Sequence, residues 1–357
     1  MRRFAGCVLA VTMLLSMTAC TEKTVNQPAL EASKQVIAMD TAILLAAYGE
    51  TCAEAVHEAE EEVYRLEALL SKTDEESLIS QLNEEGEDGI SVGEEICALL
   101  EASEEYAAVT GGTFDMTVAP VVQAWGFTTD SYQVPSQQEL DRLLERVGRG
   151  RLTIDGEMVA LKEGTEVDLG GIAKGYASDR IAEIFLENDV PRGLARLGGN
   201  VLAWGEKENG SGWKVGIQDP KHPETEVLVG IVEMKNGYAV TSGGYQRFFE
   251  EGGKTYHHII DPATGYPADN GLTSVTIVAD CESESLGGKP GNGTMCDALS
   301  TALFVMGEEK ALEFWRSGIC DFEAILVTAD DRVVITAGLA ERFIGDEETG
   351  YRYETAS

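Results

Sequence analysis

The sequence predicts an α+β fold, with helices and antiparallel strands in separate blocks instead of the alternation of a doubly wound sheet. Three observations predict it. The first half carries helical periodicity, with Val56, Ala59, Val63, Leu66 and Leu70 at steps of three and four. From Gly193 to Val278 the chain becomes short strands divided by Gly, Asn-Gly, Asp-Pro and His-Pro. A hydrophobic content of 43% with 25% charge over 357 residues leaves enough apolar surface for a packed core.

Taken in order, "VIAMDTAILLAAYG" is apolar and partly β-branched, which predicts a strand or a hairpin. The helix around Val56–Leu70 follows, then a second carrying Ile96, Leu99, Leu100 and Tyr106 and ending at Gly111-Gly112. A third opens on a capping box, Ser136 with Glu139 three residues later, ahead of Leu140, Leu143 and Leu144. "RLTID" and "MVALK" flank Asp155-Gly156, a hairpin signal. A glycine loop feeds a helix with Ala177, Ile181, Ile184 and Phe185. Helices over Thr294–Met306 and Glu308–Arg316, then strands "FEAILVT" and "RVVIT", close the domain. With no repeat and no long linker, residues 36–345 read as one domain and 346–357 as a tail.

At the N-terminus, Arg2 and Arg3 precede an apolar run from Phe4 to Leu15 and "SMTAC". The run is too short to span a bilayer and has the layout of a secretory signal. The cysteine after small residues is similar to a bacterial lipobox, although Met17 stands where leucine is usual. Residues 1–19 therefore read as a lipoprotein signal peptide, Cys20 as the lipidated residue and 20–35 as a polar tether. The expected location is extracytoplasmic, anchored to the membrane. Lys+Arg 27 against Asp+Glu 62 gives −35, which argues against nucleic acid as a partner. Beyond Cys7 and Cys20 an odd five cysteines remain, without a C-x-x-C pair, so buried thiols are expected. Four histidines without metal spacing argue against an imidazole-rich site.

Short polar motifs gather at element ends: "GGTFD", "VDLGGIAKGYASD", "LGGN", "TSGGYQR", "HHIIDPATGYP" and "CDALSTAL". Each has an ordinary structural reading as a cap, turn or hairpin loop. Asp297 and Thr301, however, are four apart, so on a helix their oxygens face one way and suit Mg²⁺. "VDLGGIAKGYASD" is neither a P-loop nor G-x-G-x-x-G, yet glycines before a helix start can meet a phosphate. A glycine loop, a lysine and an oxygen-donor metal site are the parts that phosphoryl transfer needs.

"MDT", "GGTFDMTVAPVVQAWGF", "VDLGGIAKGYASD", "GGN", "TSGGYQR", "HIIDPATGYP" and "DALSTALFVMG" occur in the order that resembles the bacterial FAD:protein FMN transferases, the ApbE-like flavin transferase family. The resemblance runs from Val36 to about Thr336. It implies a two-lobed, T-fold-related α+β domain that cleaves FAD with Mg²⁺ (or Mn²⁺), joins FMN to a threonine hydroxyl of a target protein and releases AMP. By position, Met39, Thr113, Phe114 and Asp115 would line the flavin and adenine sites. Asp168 and Lys174 would contact FAD, with Ile260 packing nearby. The metal would take the Gly171 carbonyl and the side chains of Asp297 and Thr301. His258 would assist deprotonation of the acceptor, with His257 outside the motif. The implied acceptors are flavoprotein subunits of membrane redox complexes of the Rnf or Nqr type. The alternatives are an FAD pyrophosphatase using water as acceptor, or a non-catalytic flavin-binding lipoprotein. Two departures stand out: Thr73 where the family often has tyrosine, and "CESESLGGKPGNGTMC" over 281–296, about ten residues longer than expected.

Overall fold

A computed structural model of the chain describes residues 30–129, 131–283 and 291–357. In chain order the elements begin with β1 (Glu31–Ala38), β2 (Thr41–Tyr48), α1 (Cys52–Leu70), α2 (Leu78–Glu85), β3 (Ile90–Ser91) and α3 (Gly93–Val109). Next come α4 (Ala119–Ala124), α5 (Gln137–Leu144), β4 (Leu152–Asp155), β5 (Met158–Leu161), α6 (Ala173–Glu187), β6 (Arg192–Leu197) and β7 (Asn200–Trp204). The strands β8 (Trp213–Gln218), β9 (Leu228–Met234), β10 (Gly237–Gly243), β11 (Phe248–Glu251), β12 (Lys254–His257) and β13 (Leu272–Asp280) follow. The chain closes with α7 (Asn292–Met306), α8 (Glu308–Ser317), β14 (Glu323–Thr328), β15 (Arg332–Thr336), β16 (Phe343–Gly345) and β17 (Arg352–Ala356).

The fold is α+β. Nine strands form one sheet in the order β1-β2-β6-β7-β10-β13-β14-β15-β17, antiparallel throughout except the parallel β15–β17 pair. Both faces are covered, so the inner strands are apolar at successive positions. Tyr238, Val240, Val275, Ile277 and Leu326 point into the core shared with α1, α3, α6 and α7. Their neighbours Ala239, Val278, Ile325 and Val327 point the other way, onto the three-stranded sheet β16-β9-β8. This period of two along β10, β13 and β14 lets one run of hydrophobic residues serve two cores. A third, smaller cluster holds Val121, Trp125, Phe127, Leu140 and Ile260 beneath the β11–β12 ribbon.

Local signals are realised where they concern caps and turns. Ser136 caps α5 and accepts the Glu139 N–H at 3.3 Å. Gly111 and Gly112 end α3 with φ of 66° and 84°, a conformation that favours glycine. The β1–β2 hairpin turns through Met39 and Asp40, both at positive φ (51° and 57°). For Met39 this costs on the order of 1 kcal/mol, and its N–H is held by Glu67 Oε1 at 2.7 Å.

Three boundaries differ from the sequence reading. β1 starts at Glu31, inside the segment assigned to the tether, because "EASKQ" is an edge strand held by backbone pairing to β2 and has no apolar rhythm. Within the segment read as a tail, β17 pairs with β15 and completes the sheet edge. α7 starts at Asn292, so the last part of the 281–296 insertion is helix and Cys296 is buried within it. Asn292 Nδ2 donates to the carbonyls of Asp280 (2.9 Å) and Ser283 (2.8 Å), closing the base of the insertion. The short helices α2 and α4 were not expected. The signal peptide, Cys20 and residues 21–29 of the tether lie outside the described residues. Among the described residues Cys52, Cys97, Cys296 and Cys320 are buried, and neither they nor Cys281 forms a disulfide.

Candidate active site

The ends of β1, α1, α3, α6, β6, β7, β10 and α7 surround one cavity of about 930 Å³. All eleven residues singled out from the sequence line it: Met39, Thr113, Phe114, Asp115, Asp168, Gly171, Lys174, His258, Ile260, Asp297 and Thr301. They come from separate parts of the chain, so the convergence is a product of the fold.

The α6–α7 pair sets the oxygen donors. The two helices approach at glycines: a Cβ on Gly175 would lie 2.2 Å from the Gly293 carbonyl. Contact that close places Asp297, on the first turns of α7, against the start of α6. Asp297 Oδ2 accepts the Gly175 N–H at 2.9 Å, capping the third residue of α6. Thr301 lies one turn further along α7, and a Cβ on Gly171 would sit 3.5 Å from its Oγ1. Ser242 Oγ is 3.3 Å from Thr301 Oγ1 and 2.7 Å from Ser300 Oγ. The arrangement therefore gathers one carboxylate, one hydroxyl and the Gly171 peptide at the helix junction. Hard oxygen donors of this kind fit Mg²⁺, with water or phosphate completing the shell. No three His, Cys, Asp or Glu side chains converge as a metal cage among the described residues.

α7 is itself anchored from α6. Asp179, fully buried, accepts N–H bonds from Gly293 (2.7 Å) and Thr294 (2.8 Å) and the Thr294 hydroxyl at 2.6 Å. Burial pushes its carboxyl up to about 6, against the pull of these donors. Asp179 closes the quoted glycine-loop motif in the sequence, which gave no sign that its carboxylate would cap a helix more than a hundred residues away. The loop also departs from a simple phosphate cradle, because Asp297 occupies the N–H of Gly175. Lys174 Nζ donates to the Gly170 carbonyl at 3.1 Å.

Asp168 accepts the Gly170 N–H at 2.8 Å and is ion-paired with Lys72. Burial acts to raise its pKa, but Lys72 outweighs this and holds the carboxyl below its ordinary value. Lys72 lines the cavity and was missed in the sequence, where it is one charged residue in a polar loop. Asp115 caps the turn that follows it, accepting from Thr117 N (2.8 Å) and Oγ1 (2.5 Å). Its ordinary reading as a cap is thus realised at the cavity wall, where burial raises its pKa. Phe114 packs beside Gly171, a Cβ on which would lie 3.3 Å from the ring. Ile260 is buried in the small aromatic cluster.

The two adjacent histidines separate cleanly. His257 uses Nε2 on the Ala268 carbonyl (2.9 Å) and accepts the Ile259 N–H on Nδ1 (3.2 Å), so both ring nitrogens are engaged. His258 faces the cavity, and its Nδ1 lies 3.2 Å from the Arg247 carbonyl. A carbonyl only accepts, so Nδ1 carries the proton and Nε2 is left as an acceptor. Burial pushes His258 down to about 3, which keeps the ring neutral.

The profile of the ApbE family matches residues 39–326. The FAD:protein FMN transferase of Treponema pallidum is 32% identical over 333 residues, 87% of this chain and 88% of its own length. That of Klebsiella pneumoniae is 30% identical over 294 residues, 81% of this chain and 87% of its own. The crystal structure of the ApbE protein from Thermotoga maritima superposes with a TM-score of 0.76 at 31% identity, covering 90% of this chain and 98% of that one. The flavin transferase ApbE from Vibrio cholerae shares the fold with the same TM-score at 23% identity, over 88% of this chain and all of the other. With a family profile over residues 39–326 and a relative 32% identical over 87% of its length, this chain belongs to the ApbE family.

Proposed function

We propose that the protein is an FAD:protein FMN transferase that uses Mg²⁺ to move FMN from FAD to a threonine hydroxyl, releasing AMP. The observation that carries this reading is the convergence of Gly171, Asp297, Thr301, Lys174 and His258 on one cavity, with Asp297 at the start of α6 and the Nε2 of His258 left to accept. The names of the relatives support the reaction class. Gly171, Asp297 and Thr301 would hold the ion, which when bound neutralises the charge of the FAD pyrophosphate. Lys174 adds a positive charge next to the same turn. His258 Nε2 takes the threonine proton as the threonine oxygen bonds to the FMN phosphorus, and the bond to the AMP oxygen breaks. The neutral ring is ready to accept, and phosphate charge entering the cavity raises its affinity for that proton. The acceptor class expected is a flavoprotein subunit of a membrane redox complex. A lipid on Cys20 would hold the enzyme outside the membrane where such subunits are found; Cys20→Ala should move the protein from the membrane fraction to the soluble one.

Incubation of the protein with FAD, Mg²⁺ and a target flavoprotein domain should give an intact-mass gain on the target equal to FMN. Release of free FMN and AMP alone would replace transfer by hydrolysis. Retention of FAD with neither product would leave a flavin-binding protein.

A further inference from the structure

Lys72 stands just past the Ser71 C-cap of α1, and its side chain reaches the cavity wall that carries the glycine loop. Its ammonium donates to Asp168 Oδ2, while Asp168 Oδ1 accepts the Gly170 N–H at 2.8 Å. From the other side Lys174 donates to the Gly170 carbonyl at 3.1 Å. Two lysines from different elements thus hold the same turn, Lys72 through the Asp168 carboxylate and Lys174 through the Gly170 carbonyl, in a protein of formal charge −35. Lys72 and Asp168 are partly exposed to the cavity, with side-chain exposures of 24% and 16%. The pair holds the glycine loop, and the same ammonium stands at the cavity wall, so a structural and a ligand-binding role can coexist in Lys72. Two lysines on one stretch of the cavity wall, beside oxygen donors for a divalent ion, suit a ligand with more than one negative charge.

We propose that Lys72 is a second phosphate-facing cation, acting with Lys174 on the pyrophosphate of FAD, as well as a partner of Asp168. The inference rests on the FAD reading above and adds a residue to it. The test compares FAD, ADP and riboflavin binding to the full chain by fluorescence and calorimetry. A chelator is present so that no FAD is turned over. Lys72→Gln should weaken FAD and ADP about tenfold and leave riboflavin unchanged, while Lys72→Arg should keep FAD affinity near wild type. Raising salt should weaken FAD binding to the wild type more steeply than to Lys72→Gln. Unchanged FAD and ADP binding in the glutamine variant would overturn the proposal. So would equal losses for riboflavin and FAD, which would make Lys72 a packing and positioning residue only. Lys72→Met serves in the same comparison should the glutamine variant not fold. A wild-type chain that binds none of the three ligands, with Mg²⁺ restored as well as with the chelator, overturns the FAD reading itself, whereas a binding wild type with an indifferent variant overturns only the role of Lys72.

Discussion

Asp297 caps α6 at Gly175 through Oδ2, and in the proposed function its carboxylate would also hold the cation. Two substitutions separate these roles. Asp297→Asn keeps an acceptor oxygen for the cap and removes the charge, so it should fold with near wild-type stability yet lose about a hundredfold or more in transfer. Asp297→Ala removes both and should also lose about 1 kcal/mol of stability, read by urea unfolding beside an intact-mass transfer assay. His258 gives a pH signature. Its pKa falls from 6.5 to about 3 on folding, chiefly through burial, so the folded state resists protonation more than the unfolded chain does. Its contribution is fully present above pH 6.5 and is lost as pH falls toward about 3. His258→Asn should therefore flatten the acid limb of stability in that window. Parallel wild-type and variant curves across the window would remove burial of the imidazole as the cause. At this scale the residue types were legible in the sequence: the Asp297/Thr301 spacing and His258 next to "IIDPATG" pointed to the site. Lys72 and Asp179 were not, because nothing local distinguishes them from other charged residues until their partners are known.

The decisive element contact is α6 against α7. Helices approach this closely only where no Cβ intervenes, and both Gly175 and Gly293 provide that. A methyl at Gly175 would meet the Gly293 carbonyl at 2.2 Å and Asp297 Cβ at 2.7 Å. Gly175→Ala should therefore cost about 1–3 kcal/mol and weaken Mg²⁺ binding, measured by thermal melts and by calorimetric titration of the metal. Loss of stability with unchanged metal affinity would mean that α7 moves without disturbing Asp297. Helix starts and stops with their own signals, such as Ser136 before α5 and Gly111-Gly112 after α3, could be read directly. Segments stabilised only by neighbours could not: the polar start of β1, "EASKQ", and β17 are held by backbone pairing to other strands.

For the whole molecule, the nine-stranded sheet is the platform, with helices on one face and the β16-β9-β8 sheet on the other. β17 closes one edge by pairing with β15, over the core that contains Val333 and Ile335. Truncation after Gly350 should expose that edge, lower the melting temperature by several degrees and raise the tendency to aggregate. Retained melting temperature and monodispersity would show that the last strand is dispensable. FAD added in excess should raise the melting temperature of the intact chain by mass action, in proportion to the logarithm of its concentration.

The sequence by itself determined the α+β class, most helix positions, the family and the eleven residues around the cavity, because periodicity, caps and ordered motifs are local and survive without coordinates. Only the tertiary structure decided which oxygens meet, that Asp179 anchors α7, that His257 is spent on backbone while His258 keeps a free nitrogen, and that Lys72 reaches Asp168. Those facts depend on contacts between residues far apart in the chain, and the packing of α6, α7 and the central sheet is what brings them within hydrogen-bond range.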